Sequence, residues 1–130
     1  MQRIAMLGSG FIGRFYAESI QGQRSSDKIV SIYSRREESA KKFATDYGCD
    51  HFTTDMEASI SRPDVDIVCI ALPNNLHEAA VLLCCKHKKA VMTTKPLGRN
   101  AVEAKRMLEA VEAAGIFSGY LEDLVYTPKF

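Results

Sequence analysis

A chain of 130 residues has the size of one domain and room for one hydrophobic core, with little left for a second folding unit. Hydrophobic residues make up 46% and charged residues 25%, a balance that excludes an intrinsically disordered polypeptide. The formal net charge of +1, from 17 basic and 16 acidic residues, gives no global field for nucleic acid or an anionic membrane, so any bound anion must be caught locally.

In chain order, hydrophobic period alternates between strand-like and helix-like segments without repeats or low-complexity tracts. Arg3 to Leu7 predicts a first strand, followed by a helix from Phe11 with Ile12, Phe15, Tyr16 and Ile20 on one face. Lys28 to Tyr33 predicts strand two. The next helix, Glu37 to Tyr47, carries Ala40, Phe43, Ala44 and Tyr47 at helical spacing and ends at Gly48, suited to a left-handed cap. A short third strand is expected within 49–53, and one or two helical turns from Asp55 to Ser61. Asp66 to Leu72 is apolar on both alternating faces after its first residue, as a central parallel strand covered by helices on each side should be. A helix from Asn75 to about His87 is expected to bury Leu76, Ala79, Ala80, Leu83 and Cys84, and Ala90 to Thr93 follows as strand five. Asn100 with Glu103 reads as a helix N-cap, that helix closes at Gly115, and Ile116 to Tyr120 reads as strand six. Six strands joined by right-handed helical crossovers predict an α/β fold: a doubly wound, three-layer α/β/α Rossmann sheet of order 3-2-1-4-5-6.

The chemistry concentrates where these strands end. Gly8-Ser9-Gly10-Phe11-Ile12-Gly13 is a complete G-x-G-x-x-G, and it lies after a predicted strand and opens a predicted helix, the context that makes the pattern informative. Gly8 suits the tight turn, Gly10 lets backbone approach a pyrophosphate, and Gly13 lets the helix pack close to the strand. Unpaired N–H groups and the helix dipole there favour phosphate. About twenty residues on, where an NAD site places a carboxylate for the ribose 2′-hydroxyl, the chain has Tyr33-Ser34-Arg35-Arg36. A hydroxyl followed by two guanidiniums matches a 2′-phosphate, so NADP is expected in preference to NAD. The competing reading makes Ser34 and Glu37 a capping box, and Glu37 and Glu38 stand close enough to offset part of the arginine charge.

Ala71-Leu72-Pro73-Asn74 follows the central strand and is expected to border the cofactor cleft, with His77 either beside it or an exposed first-turn residue. Thr94-Lys95-Pro96 follows strand five. From there Lys95 would reach the nicotinamide half of the cleft and bond a substrate hydroxyl, or remain an ordinary surface lysine. Cys49, Cys69, Cys84 and Cys85 lack paired C-x-x-C spacing and read as reduced, mostly buried small hydrophobes; no metal site is expected. The N-terminus enters a strand at once with no signal-peptide pattern, and the longest apolar stretch, Ile67 to Pro73, is far shorter than the roughly 20 residues of a membrane span, so a cytoplasmic protein is expected.

Taken in order, Ile4 to Gly13, Ser34-Arg35-Arg36 leading into Ala40 to Gly48, Pro73-Asn74 with His77, and Lys95-Pro96-Leu97 resemble the N-terminal domain of the Gfo/Idh/MocA oxidoreductases. The resemblance covers essentially the whole chain. It implies NAD(P)-dependent oxidation or reduction of sugars, polyols and related hydroxy compounds, with Gly8, Ser9, Gly10, Phe11 and Ile12 on the cofactor and Lys95 near the reacting hydroxyl. Thr94 stands where that family's Glu-Lys-Pro motif has Glu. The resemblance also implies a domain boundary near residue 120, with 121–130 opening a missing substrate domain, so that the chain alone would bind cofactor but turn over little. Substrate identity is not legible, and a homo-oligomer stays open. Two rival readings are a stand-alone nucleotide-sensing module and a methyltransferase-like nucleoside site, the latter disfavoured by the phosphate-binding glycine pattern.

Overall fold

Alternation along β1 (Arg3–Leu7) sends Ile4 and Met6 to one face and Ala5 and Leu7 to the other, and all four are buried. A strand apolar on both sides belongs in the middle of a sheet with helices on each face. The computed structural model describes residues 1–22, 26–122 and 128 and places β1 there. Its neighbours are β2 (Lys28–Tyr33) and β4 (Ile67–Ile70), with β3 (His51–Thr53) outside β2, and β5 (Ala90–Thr94) and then β6 (Ser118–Leu121) outside β4. All pairings are parallel, in the expected order 3-2-1-4-5-6.

The helices α1 (Phe11–Gly22) and α2 (Glu37–Tyr47) cover the Ile4–Met6 face, where Ala17, Phe43 and Ala44 complete the core. On the other face lie α3 (Met56–Ile60), α4 (His77–Lys86) and α5 (Ala101–Ala114), contributing Ile60, Ala80, Val81, Cys84, Met107 and Val111. One irregularity adjusts β2 to both layers. Ile4 pairs with Ile29 but Ala5 pairs with Ser31, so Val30 is an extra residue on the β2 side. The bulge resets the alternation: Ile29 and Ile32 both face α2, while Ser31 faces α3 and its hydroxyl bonds that of Ser59 at 2.6 Å.

Helix ends follow the local chemistry read from the sequence. Gly48 and Gly115 close α2 and α5 at φ 65 and 64, and Asn100 caps α5 by accepting from the Glu103 N–H at 2.9 Å. Asp55 caps α3 in the same way through the Ala58 N–H. Other expectations need correction. Ile12 and Phe15 do not face the core; they are 41% and 50% exposed, and α1 buries Gly13 and Ala17 instead. The helix after β4 opens with a 3-10 turn at Asn74–Leu76 before α4 begins. That tighter turn changes the helical phase, so His77, Ala80, Val81 and Cys84 point inward while Ala79 is exposed and Leu76 is half-buried. At the edges, β4 stops before Ala71 and Leu72, and β6 begins at Ser118, leaving Phe117 exposed.

The four cysteines are free; Cys49, Cys69 and Cys84 are buried and Cys85 is partly so. Burial pushes the Cys69 and Cys84 thiols up to about 12, far from thiolate reactivity. Among the described residues no helix is long and apolar enough to cross a membrane. Of the segment expected to open a second domain, Leu121 ends β6, and residues 123–127, 129 and 130 lie outside the described residues.

At the opposite edge of the sheet from the strand ends, Arg3 ties β1 to the start of β4. Its backbone N–H and guanidinium donate to the Asp66 carboxylate at 2.8 to 3.0 Å. These bonds hold the Asp66 carboxyl at about 2, below the ordinary value near 4. A carboxylate with a lowered folded-state pKa stabilises the fold above the unfolded value and loses that contribution as pH falls through the folded one. Asp66→Asn is therefore expected to melt below the wild type at pH 7, with the gap closing between about pH 4 and pH 2 in circular dichroism melts.

Candidate functional site

The carboxyl ends of β1, β2 and β4 meet at a cleft of about 330 Å³. Its floor is the bend after Leu7. The Gly8 N–H donates to the Tyr33 carbonyl at 2.9 Å, and Ala71 N–H donates to the Leu7 carbonyl at 2.8 Å, so the bend is hooked to both neighbouring strands. Gly8 has φ 110, and a Cβ there would collide with the Ala71 carbonyl; a Cβ at Gly13 would collide with the Gly8 carbonyl. A Cβ at Gly10 would meet nothing within 4 Å. Two glycines thus serve packing, and the third opens onto the cleft. The first-turn N–H groups of α1 have no helical partner and stand at the positive end of the helix dipole. This is the arrangement a pyrophosphate requires.

The β2 end supplies the next wall. Ser34, 8% exposed, bonds the hydroxyl of Ser9 at 2.8 Å, joining the glycine bend to the strand beside it. The capping-box reading of Ser34 is not what forms: the N-cap of α2 is Arg36, with no side-chain cap bond. Arg35 and Arg36 are exposed and line the cleft with Tyr33 and Ser39. Among the described residues neither guanidinium pairs with a carboxylate, so Glu37 and Glu38 do not engage them directly.

Ala71, Leu72, Pro73 and Leu76 form the β4 wall. Ala71 and Leu72 are shared with a second cleft of about 160 Å³ toward β5, lined also by Ile12, Phe15, Tyr16, Thr94, Lys95 and Leu121. Thr94 is 6% exposed, whereas Lys95 is exposed, and among the described residues its ammonium has no hydrogen-bond partner. The Lys95–Pro96 peptide is cis.

Several expected residues lie elsewhere. Phe11 is 82% exposed and lines neither cleft, and Asn74 and Pro96 flank the walls without lining them. His77 is neither a cleft residue nor an exposed one. It is fully buried, with Nε2 at 2.8 Å from the Leu72 carbonyl and Nδ1 at 2.8 Å from that of Pro96. Conversely, Ser39, Leu76, Phe15 and Tyr16 line the site without having been singled out for it. Phe15 and Tyr16 were concealed by their helical spacing, which reads as a core stripe.

A glycine bend open over one glycine, first-turn helix N–H groups facing the cleft and a strand-two end with a hydroxyl and two exposed guanidiniums define a dinucleotide-binding domain of the Rossmann class. The chain belongs to the GFO_IDH_MocA family, described as an oxidoreductase family with an NAD-binding Rossmann fold, which it matches over residues 2–119. It is 36% identical over 103 residues to the oxidoreductase YgjR of Escherichia coli (strain K12), covering 79% of this chain and 31% of that one. Identity to the NADP(+)-dependent scyllo-inositol 2-dehydrogenase IolU of Bacillus subtilis (strain 168) is 29% over 130 residues, 100% of this chain and 39% of the relative. A biliverdin reductase from Synechocystis sp. PCC 6803, solved with biliverdin and NADP+, superposes with a TM-score of 0.81 at 26% identity, covering 91% of this chain and 37% of that one. The chain thus spans about a third of the length of the relatives it matches.

The contrast between the glycines is testable. Gly8→Ala is expected to cost about 2–4 kcal/mol in denaturant melts, from backbone strain and the Ala71 collision. Gly10→Ala is expected to change stability by less than about 0.5 kcal/mol while weakening NADPH binding at least about tenfold in fluorescence titration.

Proposed function

We propose that this chain is the cofactor-holding part of an NADP-preferring dehydrogenase acting on a hydroxyl carbon of a sugar, polyol or related compound. The observation that carries the cofactor preference is the β2 end: Ser34, Arg35 and Arg36, with no carboxylate where one would repel a 2′-phosphate. The names of the relatives include both cofactors: one is an NADP(+) enzyme and one was solved with NADP+, while another is described as an NAD binding oxidoreductase.

In this reading the N–H groups of Ser9 to Ile12 hold the pyrophosphate, and the Ser34 hydroxyl and the two arginines hold the 2′-phosphate, with Ser39 beside them. Ala71, Leu72 and Pro73, continued by Asn74, wall the nucleotide, and Thr94 and Lys95, with Pro96 beside them, carry the nicotinamide end. The bound nicotinamide supplies hydride acceptance and return. The Lys95 ammonium donates a hydrogen bond to the substrate oxygen and eases loss of the hydroxyl proton, which passes to solvent as the carbon is oxidised, with the reverse in reduction. Ile12, Phe15 and Tyr16 exclude water from that half of the cleft. Thr94 gives Lys95 a neutral neighbour in place of a carboxylate, the one feature that favours the rival reading of a nucleotide sensor without turnover. A cytoplasmic location, part of the same proposal, is supported by four free cysteines.

Titration of the purified chain with NADPH and NADH tests the cofactor assignment: NADPH is expected to bind about 10- to 100-fold tighter, the range of one or two charge-assisted hydrogen bonds. Ser34→Asp is expected to reverse the order, and equal or tighter NADH binding by the wild type refutes the preference. In the full-length protein, Lys95→Ala should abolish oxidation of sugars and polyols while leaving NADPH bound; undiminished turnover in the variant would remove Lys95 from the chemistry, and a wild type that binds NADPH but turns over no hydroxy compound would favour the sensor reading.

A further inference from the structure

Beyond the last β4–β5 pair, Ile70 with Thr93, the two following loops diverge. One, from Ala71 to Leu76, walls both clefts, and the other begins with Lys95. Among the described residues the side-chain hydrogen bonds between them are those of His77. Its Nε2 lies 2.8 Å from the Leu72 carbonyl, and its Nδ1 lies 2.8 Å from the Pro96 carbonyl and 3.3 Å from that of Leu97. The ring has 0% exposure, so no water competes for these bonds. The far end of the second loop is held separately: Arg99 donates its backbone N–H to Glu103 at 2.7 Å, and Gly98 lies so close to α5 that a Cβ would come within 2.9 Å of the Ala104 nitrogen.

We propose that His77 is a positioning residue: it sets the separation of Lys95 from the Leu72 wall and so the width of the nicotinamide half of the cleft. This rests on the reading of that cleft as the cofactor site. With Nδ1 carrying the proton the ring donates across to the Pro96 carbonyl; an apolar residue could fill the same volume, but it would leave that carbonyl without its donor. A neutral imidazole donates from one nitrogen only, so the bond from Nδ1 across to Pro96 is the tie between the loops, while Nε2 on the opposite edge of the ring rests beside the Leu72 carbonyl.

The test compares NADPH with 2′-phospho-ADP-ribose, which lacks the nicotinamide, and follows amide hydrogen exchange of residues 94–99. His77→Leu is expected to weaken NADPH about tenfold, to leave 2′-phospho-ADP-ribose within about twofold, and to speed exchange in 94–99 about tenfold with β1 unchanged. His77→Asn, which retains one amide donor toward Pro96, should fall between the two proteins; it carries the test if the leucine variant does not fold. Equal weakening of both nucleotides, or wild-type exchange and affinity in a folded variant, overturns the proposal. If the wild type binds neither nucleotide, the cofactor reading fails, and exchange in 94–99 still decides whether His77 holds the loop.

Discussion

The Gly8 N–H bond to the Tyr33 carbonyl fixes where β1 ends and where α1 begins, and the rest of the cleft is arranged around that bend. A left-handed residue without a side chain turns the chain back against Ala71, and the absence of a side chain at Gly13 lets α1 descend onto the turn. Move either contact and the first-turn N–H groups no longer face the gap between β1 and β4. The position of the anion site is therefore a property of packing in the sheet, set before any ligand arrives.

Each strand end adds a different chemistry to this frame. β1 gives backbone donors, β2 gives hydroxyl and guanidinium groups, β4 gives an apolar wall, and β5 gives Thr94 and Lys95. The Ser9–Ser34 bond connects the first two, so the glycine bend and the side chains at the β2 end share one hydrogen-bonded unit. The bulge at Val30 contributes from a distance. By resetting the alternation in β2 it leaves Tyr33 opposite Leu7, in register with the bend.

The sheet order was legible because β1 and β4 are apolar on both faces and because α2 and α5 are punctuated by glycine or a capping side chain, at Gly48, Asn100 and Gly115. The anion site was legible for a related reason: glycine positions are demands of backbone geometry, and they survive in a linear reading. Side-chain roles that depend on helical phase were not. Ile12 and Phe15 repeat at core spacing yet face a cleft, because the close approach at Gly13 and Ala17 turns that stripe away from the sheet. His77 was misplaced because the 3-10 turn ahead of α4 rotates it inward, and nothing in the order Pro73-Asn74-Asn75-Leu76 announces a single tight turn before a regular helix. The pairing of Ser34 with Ser9 rather than with its own helix depends on a tertiary neighbour 25 residues away.

Gly10 has a different standing from its companions. A bend that lost Gly8 or Gly13 would damage the domain itself, so their presence records only that the chain folds. Gly10 gains no packing from its missing side chain and carries the extra unfolded-state entropy of glycine. Glycine there slightly weakens the fold and leaves the floor of the cleft bare, so stability and open access make opposite demands on this one residue.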